Sequence, residues 1–341
     1  MPQPQETDVV IVGAGPVGLF AVFECGMLHL ACHVVDALPH VGGQCSALYP
    51  EKPIYDIPGQ PAILAGELIE RLQEQAAPFK PVYHLGQQAT ALTREDDGRW
   101  RLTTSAGTEI LAHAVFVAAG AGAFGPNRPP LPGIEAFENE GVLYSVRRKA
   151  DLAGKRVVIA GGGDSAVDWA VALADVAAHV YVVHRRPQFR AAPETVARMQ
   201  ALAAEGKGVE LVIPFQLHDL EGVPPRLGGV VVRDLDGNLR RLEADVLLPF
   251  FGLSMDLGPI AKWGLGLDRS HVKVEPTTCA TDAPGVFAIG DVASYPHKLK
   301  LILTGFAEAA AAAHAAYAIA RPDQALHWEY STTKGPPAAA A

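Results

Sequence analysis

The chain has 341 residues, which at roughly 150 residues per domain means about two domains and excludes a mini-protein. Apolar residues make up 49% and charged residues 19%, with 34 Gly and 27 Pro, a globular composition that opposes disorder, collagen and coiled coil. The 28 Lys and Arg against 37 Asp and Glu leave a net charge of −9, so no global field favours nucleic acid or an anionic membrane, and an acidic partner needs a local basic patch.

The first residues, MPQPQETDVVIV, lack a basic leader and read as a strand rather than a signal peptide. That strand enters Gly13-Ala-Gly15-Pro-Val-Gly18, a helix follows from Leu19 to Gly26, and a second strand ends His33-Val-Val-Asp36. Strand, glycine turn, helix and strand make a βαβ unit, the context in which GxGxxG binds a dinucleotide. The glycines let backbone approach a pyrophosphate, and the helix offers free N–H groups and its positive end. Asp36 lies 18 residues beyond Gly18, near the ~20 at which a carboxylate meets a ribose 2′-OH and repels a 2′-phosphate. This site therefore suits FAD or NAD. The competing reading is a glycine turn that serves strand-helix packing alone.

A strand is expected near Ala114 to Ala119, then a crossing at Gly120-Ala-Gly122 before a Pro/Arg-rich loop. The design then repeats. Arg156-Val-Val-Ile-Ala leads into Gly161-Gly-Gly163-Asp-Ser165-Ala166, a helix runs near Val167 to Val176, and a strand runs from Val180 to His184. Ala166 stands at the third glycine, where a small side chain suffices. The second strand ends not in an acid but in His184-Arg185-Arg186, with Arg190 after it. Guanidinium forks suit a 2′-phosphate, so this unit reads as the NADPH site; a solvated arginine cluster is the bland alternative.

A strand near Asp245 to Pro249 and a crossing at Phe251-Gly252 follow, and Thr281 to Asp291 is again strand-like and glycine-ended. The expected fold is α/β, with two Rossmann-like dinucleotide-binding domains and the FAD domain discontinuous. Residues 1–119 and 251–341 form the FAD domain, and 120–250 the NADPH domain. The alanine-rich stretch Ala307 to Ala320 holds Glu308 and His314 and reads as too short to span a bilayer. The expectation is a cytoplasmic protein with no membrane or nucleic-acid partner. Cys25, Cys32, Cys45 and Cys279 form no CxxC and no zinc-ligand spacing, so no metal site is expected, and Cys45 reads as a small buried hydrophobe. His297, His314, Trp263 and Trp328 read as surface or packing residues.

Together, Gly13 to Gly18, Val41-Gly-Gly-Gln44, Gly161 to Ser165, His184 to Arg186 with Phe189-Arg190-Ala191, and Val286-Phe-Ala-Ile-Gly-Asp291 resemble the two-domain flavoprotein reductases of the thioredoxin reductase type. Those enzymes carry Cys-x-x-Cys shortly before the second glycine turn, where this chain reads Gly141-Val-Leu-Tyr-Ser-Val-Arg-Arg-Lys149. The closer resemblance is to the thioredoxin-reductase-like ferredoxin-NADP(+) reductases. It is carried by Ser46-Ala-Leu-Tyr49-Pro-Glu-Lys-Pro-Ile-Tyr55-Asp56, GGGDSAVDWA from Gly161, and the tail Tyr330-Ser-Thr-Thr-Lys-Gly335.

The resemblance implies that Asp36 and Gln44 hold the FAD ribose and nearby polar groups, that Asp291 holds the ribityl chain, and that Ala89 and Phe124 line the adenine and flavin regions. Tyr49 would stack on one isoalloxazine face and Tyr330 on the other, as a movable lid, with Thr332 bonding the cofactor. It further implies a homodimer in which hydride passes between NADPH and flavin, and single electrons pass to ferredoxin or flavodoxin. Arg147-Arg148-Lys149, Lys298 and Lys300 are candidates for the basic docking patch. Two other functions compete: a disulfide reductase whose dithiol lies on another protein, and a non-catalytic flavin redox sensor.

Overall fold

The structure is a computed structural model that describes residues 3–326, the side chains of 123, 124, 253 and 254 excepted. The chain divides into two compact units, 1–124 with 255–341, and 125–254.

In the first unit, β1 (Gln5–Val12) and β2 (Cys32–Asp36) lie parallel, joined by α1 (Pro16–Met27). The strand Glu109–Val117 pairs parallel to the other side of β1, Val82–Leu85 pairs parallel to β2, and Val286–Ala288 pairs parallel to residues 115–117. Two antiparallel strands, Ala89–Arg94 and Trp100–Thr104, extend the sheet. Val9, Val10 and Ile11 are wholly buried, as expected of a parallel strand covered on both faces. Pro16, at the start of α1, loses nothing by lacking an N–H there. Further on lie α2 (Gly43–Ala47) and α3 (Ala65–Ala76).

The second unit has its own parallel sheet, in the order Val209–Val212, His179–Val183, Arg156–Ala160, Val246–Pro249. Its crossover helix α4 (Asp164–Leu173) ends three residues before the expected Val176, and α5 (Pro193–Ala204) precedes the edge strand. An antiparallel three-stranded sheet, Gln216–Val223, Arg226–Arg233 and Leu239–Glu243, supplies Leu227, Val230, Val232 and Leu242 to the same core.

The last helix, α6 (Ile302–Ala320), begins earlier than the alanine run suggested, and by length and composition alone it is apolar enough to cross a bilayer. Ala309, Ala312, Ala313 and Ala316 instead pack into a core with Ala21, Val22 and Cys25 of α1. Small side chains let the two helices approach closely. An Arg321–Asp8 ion pair fastens the end of α6 to β1.

Two contacts in this unit escaped the sequence reading. Cys25 and Cys32 are buried neighbours in one core, and His33 and His84, each 8% exposed, meet Nδ1 to Nε2 at 3.0 Å. Burial holds both imidazoles below their ordinary range, and the neighbouring His84 adds to the effect at His33. Unfolded, these rings bind protons below about pH 6.5, whereas the native rings resist them, so stability falls as pH drops from about 6.5 toward the depressed native values. Denaturation of the parent and of His33→Leu/His84→Leu at pH 7.5 and 5.5 should show a shallower pH dependence in the double variant. Equal slopes would refute this role.

Candidate functional site

Each parallel sheet has a glycine turn where its strand order reverses, at the carboxyl ends of its strands. This is where doubly wound sheets bind ligands. In the first unit Gly13 has φ +116°, and a Cβ there would lie 2.3 Å from the carbonyl oxygen of Ala118. A Cβ on Gly18 would lie 1.9 Å from the Gly13 carbonyl oxygen. Both glycines thus allow backbone to touch backbone. Gly15 differs, since a Cβ would meet nothing within 4 Å and would project into open space. That is the bare floor a pyrophosphate needs in order to reach main-chain N–H groups.

The cleft above this floor measures about 420 Å³, and Gly13, Gly15, Asp36, Gln44, Tyr49, Ala89 and Asp291 line it. Gly18 lies beneath it, and its part is packing. Asp36, at the end of β2, accepts the N–H of Ala14 at 2.6 Å and of Leu38 at 2.8 Å. It therefore ties the strand end to the glycine turn while lining the cleft. Burial raises its pKa, against the lowering effect of those two N–H donors. Tyr49 packs against the core that holds Cys45, and the Lys52 ammonium lies 5.6 Å from the Tyr49 ring centroid. Burial pushes the Tyr49 hydroxyl well above its usual range and the Cys45 thiol up to about 11, so Cys45 has the character of an inert buried thiol.

Gln87 and Gln88 also line this cleft and escaped the sequence reading, because they belong to no motif. The N–H of Gln87 reaches the Asp36 carbonyl at 2.9 Å, and its side-chain oxygen accepts the Thr104 hydroxyl at 2.7 Å. Of the remaining candidates, Phe124 has its backbone in the strand Ala123–Pro126 but its side chain outside the described set. Tyr330 and Thr332 lie outside the described residues, as does Trp328.

In the second unit Gly161 has φ +156°, and a Cβ there would lie 2.6 Å from the Phe250 carbonyl oxygen, the counterpart of Gly13 against Ala118. The cleft here measures about 640 Å³, and Gly161, Gly163, His184, Arg185, Arg186 and Arg190 line it. Ser165, exposed on α4, does not. A Cβ on Gly162 would fall 2.2 Å from the His184 ring. That imidazole lies against the glycine turn, stacks on Phe189 at 5.1 Å, and donates Nε2–H to the Gln188 carbonyl at 3.2 Å. Burial first, then the three arginines, keep His184 below its ordinary pKa. The ring shapes the loop, and the cations are left to the arginines.

Arg185 and Arg186 also face a neighbouring recess of about 310 Å³ with Arg233, a residue the sequence reading passed over. Among the described residues, Arg185, Arg186, Arg190 and Arg233 form no ion pair, while Arg156, Arg240 and Arg241 of the same unit do. A cleft lined by cations that no carboxylate neutralises fits a phosphorylated ligand.

The expected docking patch is corrected at Lys298. Its side chain is 6% exposed and paired with buried Glu308, so it offers no charge to a partner. Lys300 hydrogen-bonds His271, and Arg148 pairs with Asp151. Among the described residues no cluster of His, Cys, Asp and Glu could hold a metal ion.

The pyridine nucleotide-disulphide oxidoreductase profile matches residues 7–318. A ferredoxin--NADP reductase of Paramagnetospirillum magneticum is 65% identical over 332 residues, 97% of this chain and 98% of that protein. One of Rhodospirillum rubrum is 63% identical over 337 residues, covering 98% and 97%. Among solved structures, Lactococcus lactis thioredoxin reductase has a TM-score of 0.79 at 23% identity, covering 93% of this chain and 99% of that one. At that identity it supports the fold, two dinucleotide-binding domains.

Proposed function

The chain belongs to the pyridine nucleotide-disulphide oxidoreductase family, and from that premise we infer that it is an FAD-dependent enzyme moving electrons between NADPH and ferredoxin. The observation that carries this reading is the opposite charge at two equivalent turns. Asp36 closes the strand at one, and Arg185, Arg186 and Arg190 follow the strand at the other. Two dinucleotides, one without and one with a 2′-phosphate, fit such a pair.

Bound FAD and NADPH supply hydride exchange and single-electron release, chemistry that no side chain here provides. The chain's own work is to bind and orient. Gly15 leaves room for the FAD pyrophosphate, and Asp36 accepts the ribose hydroxyl while holding Ala14. Gln44 and Asp291 bond the polar length of FAD, Ala89 lines its adenine end, and Tyr49 packs its ring. Phe124, Tyr330 and Thr332 enter the proposal through the sequence resemblance. In the other unit Gly161 and Gly163 shape the turn, Ser165 lies in the first turn of the helix that follows, and His184 braces the arginines around NADPH. The same resemblance extends the proposal to a homodimer that accepts flavodoxin as well as ferredoxin. Four buried free cysteines suit a reducing cytoplasm.

Against a thiol relay within this chain stands the placement of its cysteines. All four lie buried in the first unit, and of the two dinucleotide clefts only the first is lined by a cysteine, Cys45. A variant with every cysteine replaced by alanine, losing about 1 kcal/mol of stability per site, should retain most of its NADPH-to-ferredoxin turnover, measured through cytochrome reduction. Lost turnover in a folded, FAD-loaded variant would refute the proposed electron path, and faster turnover of the parent with thioredoxin than with ferredoxin would favour the disulfide reading.

A further inference from the structure

Glu308 is the one buried carboxylate among the described residues, at 5% exposure, and it sits on a helix face otherwise built of glycine and alanine. Burying a charge pair is expensive, and apolar residues of similar volume commonly serve packing as well. The contacts of Glu308 indicate what the charge does. Oε2 accepts the N–H of Gly290 at 2.7 Å, while Oε1 accepts the Tyr295 hydroxyl at 2.6 Å and the Lys298 ammonium. Gly290, at φ +74°, opens the single turn Gly290–Val292 that carries Asp291 into the dinucleotide cleft.

A second contact on the same face of α6 supports this. Gly305 precedes Glu308 by three residues, one helical turn. A Cβ at Gly305 would lie 2.4 Å from Val17 Cγ2 and 3.3 Å from Gly290 Cα. The helix thus meets the turn twice, with bare backbone at Gly305 and a carboxylate at Glu308. Just before the turn, the N–H of Ile289 is held by the Val117 carbonyl at 3.0 Å. The direction of Asp291 therefore depends on the next N–H, that of Gly290, and Glu308 is what holds it.

We propose that Glu308 is a positioning residue for FAD, fixing the Gly290 N–H and thereby aiming Asp291, with Lys298 as its buried counter-charge. This rests on the reading of Asp291 as an FAD contact. Glu308→Leu removes the acceptor. Glu308→Gln keeps a carbonyl for Gly290 but turns an amide donor toward the Lys298 ammonium, and Lys298→Met strands the carboxylate. Glu308→Gln/Lys298→Met retains a neutral acceptor with no unmatched charge.

The experiment titrates each apoprotein with FAD, records visible circular dichroism of the bound flavin, and follows thermal unfolding of the apoprotein. Glu308→Leu, Glu308→Gln and Lys298→Met should each bind FAD about tenfold or more weakly with altered flavin dichroism, and the double variant should return both toward the parent. If Glu308→Leu does not fold, Glu308→Gln, Lys298→Met and the double variant carry the same comparison. Folded variants with parental FAD affinity and dichroism, changed only in apoprotein melting, would overturn the proposal, as would a double variant no better than the singles. Asp291→Ala separates the two layers. Weakened FAD binding there with parental binding in the Glu308 variants refutes the positioning role alone, whereas unchanged binding in Asp291→Ala refutes the reading beneath it.

Discussion

Gly15→Ala is expected to lose FAD while keeping its fold, and Gly18→Ala to damage the fold itself. The two glycines belong to one motif, but their surroundings are opposite. Gly15 has φ −71° and ψ −178°, a conformation alanine adopts freely, and its Cβ would enter open space in the cleft. The methyl group costs the apoprotein little and stands where the pyrophosphate must approach. An overpacking penalty of about 1–3 kcal/mol then falls on binding alone, a loss of roughly 5- to 150-fold in FAD affinity. At Gly18 the Cβ would lie 1.9 Å from the Gly13 carbonyl oxygen. Backbone must move, β1 and α1 separate, and a similar or larger penalty falls on the apoprotein. FAD content after gel filtration and apoprotein melting by calorimetry distinguish the two. A Gly15→Ala protein that retains FAD like the parent, or a Gly18→Ala apoprotein that melts like the parent, would contradict the assigned roles.

Replacing Arg185, Arg186 or Arg190 by alanine should erode the preference for NADPH over NADH. All three line the larger cleft of the second unit, and among the described residues none is neutralised by a carboxylate. Each charge-assisted bond to a 2′-phosphate contributes about 1.5–3 kcal/mol, so the kcat/KM ratio should narrow by about tenfold or more in at least one variant. The NADH value itself should change little, because NADH has no group at that position. If all three variants keep the parental ratio, the arginines have been misassigned. A fall in both values together would point instead to a general loss of the cleft.

What could be read directly from the sequence is what depends on neighbours within one βαβ unit. The run of β-branched residues into Gly13-Ala-Gly15 marks a strand entering a turn, and the acid at Asp36 or the arginines after His184 set the charge at the next strand's end. Each of these is a property of residue type and short spacing, and the two α/β halves follow from them. The partners of those residues lie far along the chain. That Gly13 must be bare because Ala118 presses on it, and Gly161 because Phe250 does, depends on which strands become neighbours in the sheet.

The same holds for the residues whose character the fold changed. Lys298 read as a surface cation, but the packing of α6 buries it against Glu308. Cys25 and Cys32, seven residues apart with no motif, meet because α1 and β2 fold back on each other. Residue type limits what a side chain can do. Whether it faces water, a cleft or a buried partner is decided only when distant segments pack, because desolvation and close contact arise between elements rather than within them.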